Sequence, residues 1–249
     1  MRVLSYNICR GGRGKEEPLS AAIAAARPDL VVFQEATDPG VVERLAAAAG
    51  MAQWASRPGE SLAFMCRRPV HCYEWHHPRV SRHAFLEIQP DESQFRIFGV
   101  HLSAIYSAWT ESHRVFELRA LLASIATHQH GFHVLTGDFN TLAPGDLLDF
   151  RKLPHRLRAL VWLSGGRIRW RTIQLVLDAG YVDGHRRLHG SEPGYTFPTW
   201  SPHVRLDYIF VPTAHAARLT ACGIVAGAAA AKASDHFPLL SEIDTGKVP

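Results

Sequence analysis

The sequence predicts an α/β sandwich, with two mostly antiparallel β-sheets packed face to face and helices on the outer faces. Short apolar strand segments outnumber helical ones, and the helical segments fall between them rather than apart from them. No internal repeat or linker-like stretch interrupts the 249 residues. One domain over residues 1–249 is therefore expected, with a basic insertion near 150–171. A doubly wound parallel sheet is the alternative architecture.

Arg2–Ile8 reads as the first strand, followed by a Gly-rich basic loop at Arg10–Lys15. Leu19–Arg27 is Ala-rich and helical, stopped by Pro28-Asp29. Leu30–Phe33 is a continuous apolar run, the pattern of a strand buried on both faces. Val41–Ala49 is a second helix closed by Gly50. Ser61–Cys66, Val70–Trp75, Ala84–Ile88 and Phe95–Leu102 are strand candidates between turn residues, with a hairpin tip at Asp91-Glu92-Ser93. From Glu111 to His128 the apolar residues Val115, Leu118, Leu121, Leu122 and Ile125 recur at helical spacing. Phe132–Thr136 is a buried strand leading into Gly137-Asp138-Phe139-Asn140. Thr172–Ala179 is helical, and Arg205–Val211, Leu219–Val225 and Phe237–Ile243 are strands.

Composition narrows the class. Hydrophobic residues make up 47% and charged residues 20%, which excludes a chain disordered throughout. The formal net charge of +4 suits a phosphate-rich partner, although many proteins carry that charge without one. The four cysteines form no CxxC pair, so neither a zinc centre nor a disulfide framework is indicated. No signal-peptide core or membrane-length apolar run is present, and a cytoplasmic location is the expectation.

A polar residue recurs where each apolar run ends. Asn7 closes the first strand, Glu35 follows the second, and His101 lies at the end of another. Asp138 and Asn140 follow the Phe132 run, Asp207 sits inside Leu206–Phe210, and Asp235-His236 leads into the last strand. Each has a plain structural reading on its own: Asn7 as a turn cap, Glu35 as a surface residue, Asp138 and Asn140 as an Asx turn, His101 and His236 as satisfied polar residues. Asp207 is harder to account for, because an Asp among Leu206, Tyr208, Ile209 and Phe210 must be paired or functional. Gathered at one end of a sandwich, these groups suit Mg²⁺, which takes hard oxygen ligands and leaves room for phosphate oxygens. They also suit phosphoryl transfer, in which a carboxylate orients water and donors meet the developing charge.

Tyr6-Asn7, Gln34-Glu35, Val100-His101-Leu102, Gly137-Asp138-Phe139-Asn140, Leu206-Asp207-Tyr208 and Ser234-Asp235-His236 together resemble the endonuclease/exonuclease/phosphatase superfamily, in family order. The resemblance implies a DNase I-like four-layer α/β sandwich and a metal-dependent phosphoric ester hydrolase. It implies Glu35 as the main metal carboxylate, with Asn7 in the metal and phosphate shell and Asp235 adding to the metal shell or holding the site in place, and Mg²⁺ as the cofactor with Mn²⁺ as a substitute. Asp138 would orient or deprotonate the attacking water, and Asn140 would hold the phosphate. His236 would donate to a phosphate oxygen, fixed by Asp207, and His101 would be a second phosphate contact. Abasic-site endonucleases carry a Tyr after the strand that bears His101 here. Tyr106 is the candidate, and its other reading is a loop aromatic packed on the next helix.

The substrate depends on less specific features. Phe150–Arg171 carries seven of the 27 Lys and Arg residues, interleaved with apolar ones. Its Trp162 and Arg169 suit a nucleic-acid backbone and its bases. The same stretch could lie on an anionic membrane, or pack as a surface insertion. Arg10 and Arg13 could reach phosphates beyond the scissile one, or belong to a flexible basic loop. The expected activity is a phosphodiesterase acting on nucleic acid by in-line attack of water. A lipid phosphodiesterase or small-molecule phosphatase is the alternative, and an inactive phosphate-binding module the second. No obligate protein partner is evident.

Overall fold

Two six-stranded sheets face each other in the computed structural model, which describes residues 1–78, 84–103, 108–128, 131–146 and 170–246. The first sheet contains β1 (Arg2–Asn7), β2 (Leu30–Gln34), β3 (Gln53–Ala55), β4 (Ala63–Cys66), β11 (Leu219–Ile224) and β12 (Leu239–Ile243). The second contains β5 (Cys72–His76), β6 (Phe85–Gln89), β7 (Arg96–His101), β8 (His133–Asp138), β9 (Tyr181–Asp183) and β10 (Asp207–Pro212). Their strand orders are β11-β12-β1-β2-β4-β3 and β5-β6-β7-β8-β10-β9. Each sheet has one parallel pair at its centre, β1 with β2 and β7 with β8, and the other pairings are antiparallel.

Both faces of the central strands are covered, which explains their unbroken apolar runs. Leu30 and Val32 point between the sheets, where they meet Leu86, Ile88, Ile97, Val134 and Ile209. Val31 and Phe33 point outward, against α1 (Glu16–Ala26) and α2 (Pro39–Ala48). On the other side, Phe98, Val100, Leu135 and Phe210 pack against α3 (Ala108–His128) and α4 (Arg171–Asp178) through Leu118, Leu121, Ile173 and Val176. The result is the four-layer α/β sandwich of DNase I-like proteins.

Local chemistry sets the outer helices. Glu16 and Glu17 occupy the first turn of α1, where negative charge complements the helix dipole, and Arg27 ends the helix in the left-handed region before Pro28. Asp38 caps α2 by accepting from the Gly40 N–H at 3.0 Å, with Pro39 in the first turn. No helix among the described residues is long and apolar enough to cross a membrane.

Two short strands and two short α-helices among the described residues escape a periodicity reading. β3 and β9 span three residues each, and α5 (Gly184–His189) and α6 (Ala228–Ala233) six each, too short to show a period. The expected strand at Phe237 instead begins at Leu239, so His236 sits in the loop that enters β12. The basic insertion lies, but for Trp170 and Arg171, outside the described residues.

The eighth strand runs further than its apolar residues indicate. It carries Gly137 and Asp138 within its ladder, with Val100 and Tyr208 as partners of Gly137. Gly137 has φ of 150°, and a Cβ there would lie 1.9 Å from the Val100 carbonyl oxygen. Only glycine lets β7 approach this closely. Gly137→Ala should destabilise the protein by about 3 kcal/mol, the upper range for overpacking. A thermal unfolding midpoint equal to that of wild type would refute this.

Candidate active site

Three polar side chains share one row of the second sheet. His101 on β7 and Asp207 on β10 both pair in register with Asp138 on the strand between them. On the first sheet, Asn7 at the end of β1 pairs with Gln34, and Glu35 follows directly. The C-terminal ends of both central parallel pairs therefore meet at one end of the sandwich. The Asn7 side-chain amide joins them, its Nδ2 donating to Asp138 Oδ2 at 3.0 Å and to Glu35 Oε1 at 3.2 Å.

Asp138 is the centre of the group. Its Oδ1 accepts the Asn140 N–H at 2.8 Å, and its Oδ2 accepts Asn140 Nδ2 at 3.2 Å. Asn140 adopts a left-handed φ of 51°, which turns its amide back over Asp138, and it also donates to the Leu102 carbonyl at 2.9 Å. Two imidazoles flank the same carboxylate oxygen. His236 Nε2 lies 3.8 Å away and His101 Nε2 3.9 Å.

The two imidazoles are anchored differently. His236 Nδ1 bonds Asp207 Oδ2 at 2.8 Å, so the carboxylate holds the ring with Nε2 facing Asp138. His101 Nδ1 bonds the Ser61 hydroxyl instead. That hydroxyl also accepts the Glu35 N–H at 3.0 Å, and its contact at Nδ1 leaves His101 Nε2 facing Asp138. Ser61 thus ties the backbone of Glu35, itself at a left-handed φ of 57°, to His101.

Burial is the largest influence on Asp138 and pushes its carboxyl up to about 7, with the Asp207 charge adding to the rise against the opposing pull of His236. For His236, burial works against the imidazolium, but the charges of Asp207 and Asp138 outweigh it and hold the ring up at about 10. The pair is thus arranged as a carboxylate poised near neutrality beside a cationic donor.

The donor set fits a divalent cation. Asp207 Oδ1 is buried and finds no hydrogen-bond partner among the described residues. Ligand atoms of Asp138, Asp207 and His236 lie within 4.8 Å of one another, so this cluster could hold an ion. Two of its members, however, His236 and Asp207, are joined by a 2.8 Å hydrogen bond, a distance suited to a shared proton. Glu35 offers a more open carboxylate. Among the described residues its oxygens accept from neutral donors, Asn7 Nδ2 and the Arg10 N–H at 2.7 Å, and no cationic side chain forms an ion pair with it. Asp235 is close by. After burial, Asp235 and Glu35 are the groups that raise the Cys9 thiol to about 11.

The Ser234-Asp235-His236 segment is pinned from several sides. The Ser234 hydroxyl donates to the Asn7 carbonyl at 2.7 Å and accepts the His236 N–H at 3.2 Å. Thr199 Oγ1 donates to the Ser234 carbonyl at 2.8 Å, and the Thr199 N–H to the Asp235 carbonyl at 2.9 Å. The Phe197 ring lies against His236 with centroids 4.9 Å apart. On the opposite flank, the buried Arg205 guanidinium bonds Asp183 Oδ2 at 2.6 Å and Asp146 Oδ1 at 3.2 Å, locking the segment after Asn140 to the strands beside Asp207.

The structure therefore brings Asn7, Glu35, His101, Asp138, Asn140, Asp207, Asp235 and His236 together. Arg10 reaches the site through its backbone N–H. Arg13 points elsewhere, its guanidinium paired at the surface with Asp38 at 2.5 Å. Tyr106, Trp162 and Arg169 lie outside the described residues. Ser61, Phe197 and Thr199 carry no signal in the sequence; only the tertiary fold brings them to these motifs.

Two facing sheets with carboxylates, amides and imidazoles at the ends of their central strands define the class of DNase I-like phosphoesterases. The chain belongs to the endonuclease/exonuclease/phosphatase family, whose model matches residues 4–236. Among solved structures it is similar to the 3′ phosphatase NExo from Neisseria bound to a product DNA hairpin, with 19% identity and a TM-score of 0.72 over 98% of this chain and 99% of that one. An AP endonuclease from Archaeoglobus fulgidus matches at 17% identity and a TM-score of 0.74, over 98% of this chain and 99% of its own. A humanized TDP2 from D. rerio matches at 19% identity and a TM-score of 0.66, over 98% and 99%. A search of curated protein sequences returns no significant match.

Proposed function

We propose that this protein is a Mg²⁺-dependent phosphodiesterase that cleaves nucleic acid by in-line attack of water. The observation that carries the reading is Asp138, a buried carboxylate between two imidazoles and one hydrogen bond from the amide that also holds Glu35. Glu35, Asn7 and Asp235 would hold the ion, which when bound supplies positive charge to the phosphoryl oxygens. Asp138 accepts a proton from the attacking water and aims it. His236 donates from Nε2 to a phosphate oxygen, with Asp207 keeping its other nitrogen occupied. His101, held at Nδ1 by Ser61, would be a second phosphate contact through Nε2. Asn140 spends both amide protons inside the protein, so its first task is to fix Asp138.

Nucleic acid as substrate is supported by the basic balance of the chain and by similar structures described as a DNA-bound 3′ phosphatase and an AP endonuclease. A panel of plasmid, single-stranded and abasic DNA, RNA, sphingomyelin vesicles and inositol phosphates, each with Mg²⁺ and with EDTA, tests this. Mg²⁺-dependent cleavage of a nucleic acid is the expected result. Turnover of only the lipid or the small phosphates would overturn the choice of substrate.

Glu35→Gln keeps the shape of the side chain but removes the charge that would face the ion. The Mg²⁺ concentration for half-maximal activity should rise by at least about tenfold. An unchanged Mg²⁺ titration would move the metal role to another carboxylate.

A further inference from the structure

The indole of Trp200 is 74% exposed, the most exposed large hydrophobic side chain among the described residues. A single exposed aromatic is ordinary on a protein surface, so exposure alone says little. Its mounting says more. Trp200 sits on a turn closed by the Ser201 N–H donating to the Pro198 carbonyl at 3.0 Å. Next in the turn, Thr199 makes the two hydrogen bonds that bind this loop to Ser234 and Asp235. Behind it, the His203 and Val204 N–H groups both donate to the Phe197 carbonyl. The loop is therefore fixed to the segment that carries His236.

The rings continue the connection. Phe197 touches His236, and Trp200 meets Phe197 edge-on with centroids 6.3 Å apart. A large flat surface is thus presented to water one ring removed from the proposed phosphate donor, on a loop whose backbone the fold has already ordered. Bases stack on such surfaces whatever their identity, because every base presents a π-face. A preorganised surface also loses little on binding.

We infer that Trp200 is a substrate-binding residue, a stacking platform for an unpaired base of the nucleotide next to the scissile phosphate. The inference rests on the nucleic-acid reading above and adds to it a preference for substrates with an unstacked base at that position, such as single strands or frayed ends.

The test compares wild type, Trp200→Ala and Trp200→Phe in steady-state cleavage of a single-stranded DNA oligonucleotide with Mg²⁺. Trp200→Ala should raise KM about tenfold, in line with the loss of one base–aromatic stack, and leave kcat within about twofold. Trp200→Phe should fall between the two, since a smaller ring keeps part of the stack. The exposed position predicts unchanged thermal midpoints for both variants. An unchanged KM in Trp200→Ala, or a loss confined to kcat, overturns the inference while leaving the nucleic-acid reading in place. If wild type cleaves other nucleic acids of the panel above but no single-stranded oligonucleotide, this inference alone fails; if it cleaves none of them, the broader reading fails and takes this one with it.

Discussion

Asp138→Asn should lower kcat by about 10²–10⁴-fold with the fold intact, the loss expected for a general base. The substitution is nearly isosteric, and the site would accommodate it. Asn7, Asn140 and the Asn140 backbone all donate to this side chain, so an amide oxygen keeps part of their bonding while the proton acceptor is lost. The wild-type carboxyl is raised to about 7, chiefly by burial, which places its affinity for a proton near that required of a base at neutral pH. The neutral amide also relieves the repulsion from Asp207. Asp138→Asn should accordingly still unfold cooperatively from a native fold in thermal unfolding, while single-turnover cleavage collapses. A variant that retained full activity would remove Asp138 from the mechanism.

The second large effect belongs to His236 and Asp207. His236→Ala should cost about 10²–10³-fold in kcat, the range found when one preorganised donor to a developing anion is removed. Asp207→Asn should act mainly through pH. The His236 imidazolium is held at about 10 by Asp207 and Asp138 against the opposing effect of burial. A rate that needs the charged ring is thus present at neutral pH and falls as pH rises through that value. Loss of the Asp207 charge lowers the pKa of the ring, so the alkaline fall in kcat should move to lower pH in Asp207→Asn. The affected residue is buried and 2.8 Å from its partner, so salt screening should not reproduce the effect. An alkaline limb in the same place as wild type would show that His236 does not donate in its charged form.

Much of this site was legible in the sequence because the fold places chemistry at strand ends. An apolar run followed at once by Asn7, Glu35, His101 or Asp138 marks both a buried strand and the polar group at its end, and these four motifs stand in order with those of Asp207 and Asp235-His236 without any knowledge of contacts. Asp207 was legible for another reason: a carboxylate inside an apolar strand requires a partner, and His236 is that partner. Ser61 was not legible. It precedes an apolar run as many turn residues do, and its role depends on Glu35 and His101, 26 and 40 residues away in the chain. The apolar pattern ends the strand at Thr136, whereas the hydrogen-bonded ladder continues through Gly137 to Asp138. Arg13 had the right charge in the right loop, but Asp38 offers it an ion pair closer to hand.

The measurement that bears most directly on the central claim is cleavage of an end-labelled DNA oligonucleotide by wild type and Asp138→Asn, each with Mg²⁺ and with EDTA. A Mg²⁺-dependent phosphodiesterase built around Asp138 gives products only from wild type with Mg²⁺, with the variant reduced by at least about 10²-fold. Cleavage that persists in EDTA, or proceeds at the wild-type rate in Asp138→Asn, would contradict it.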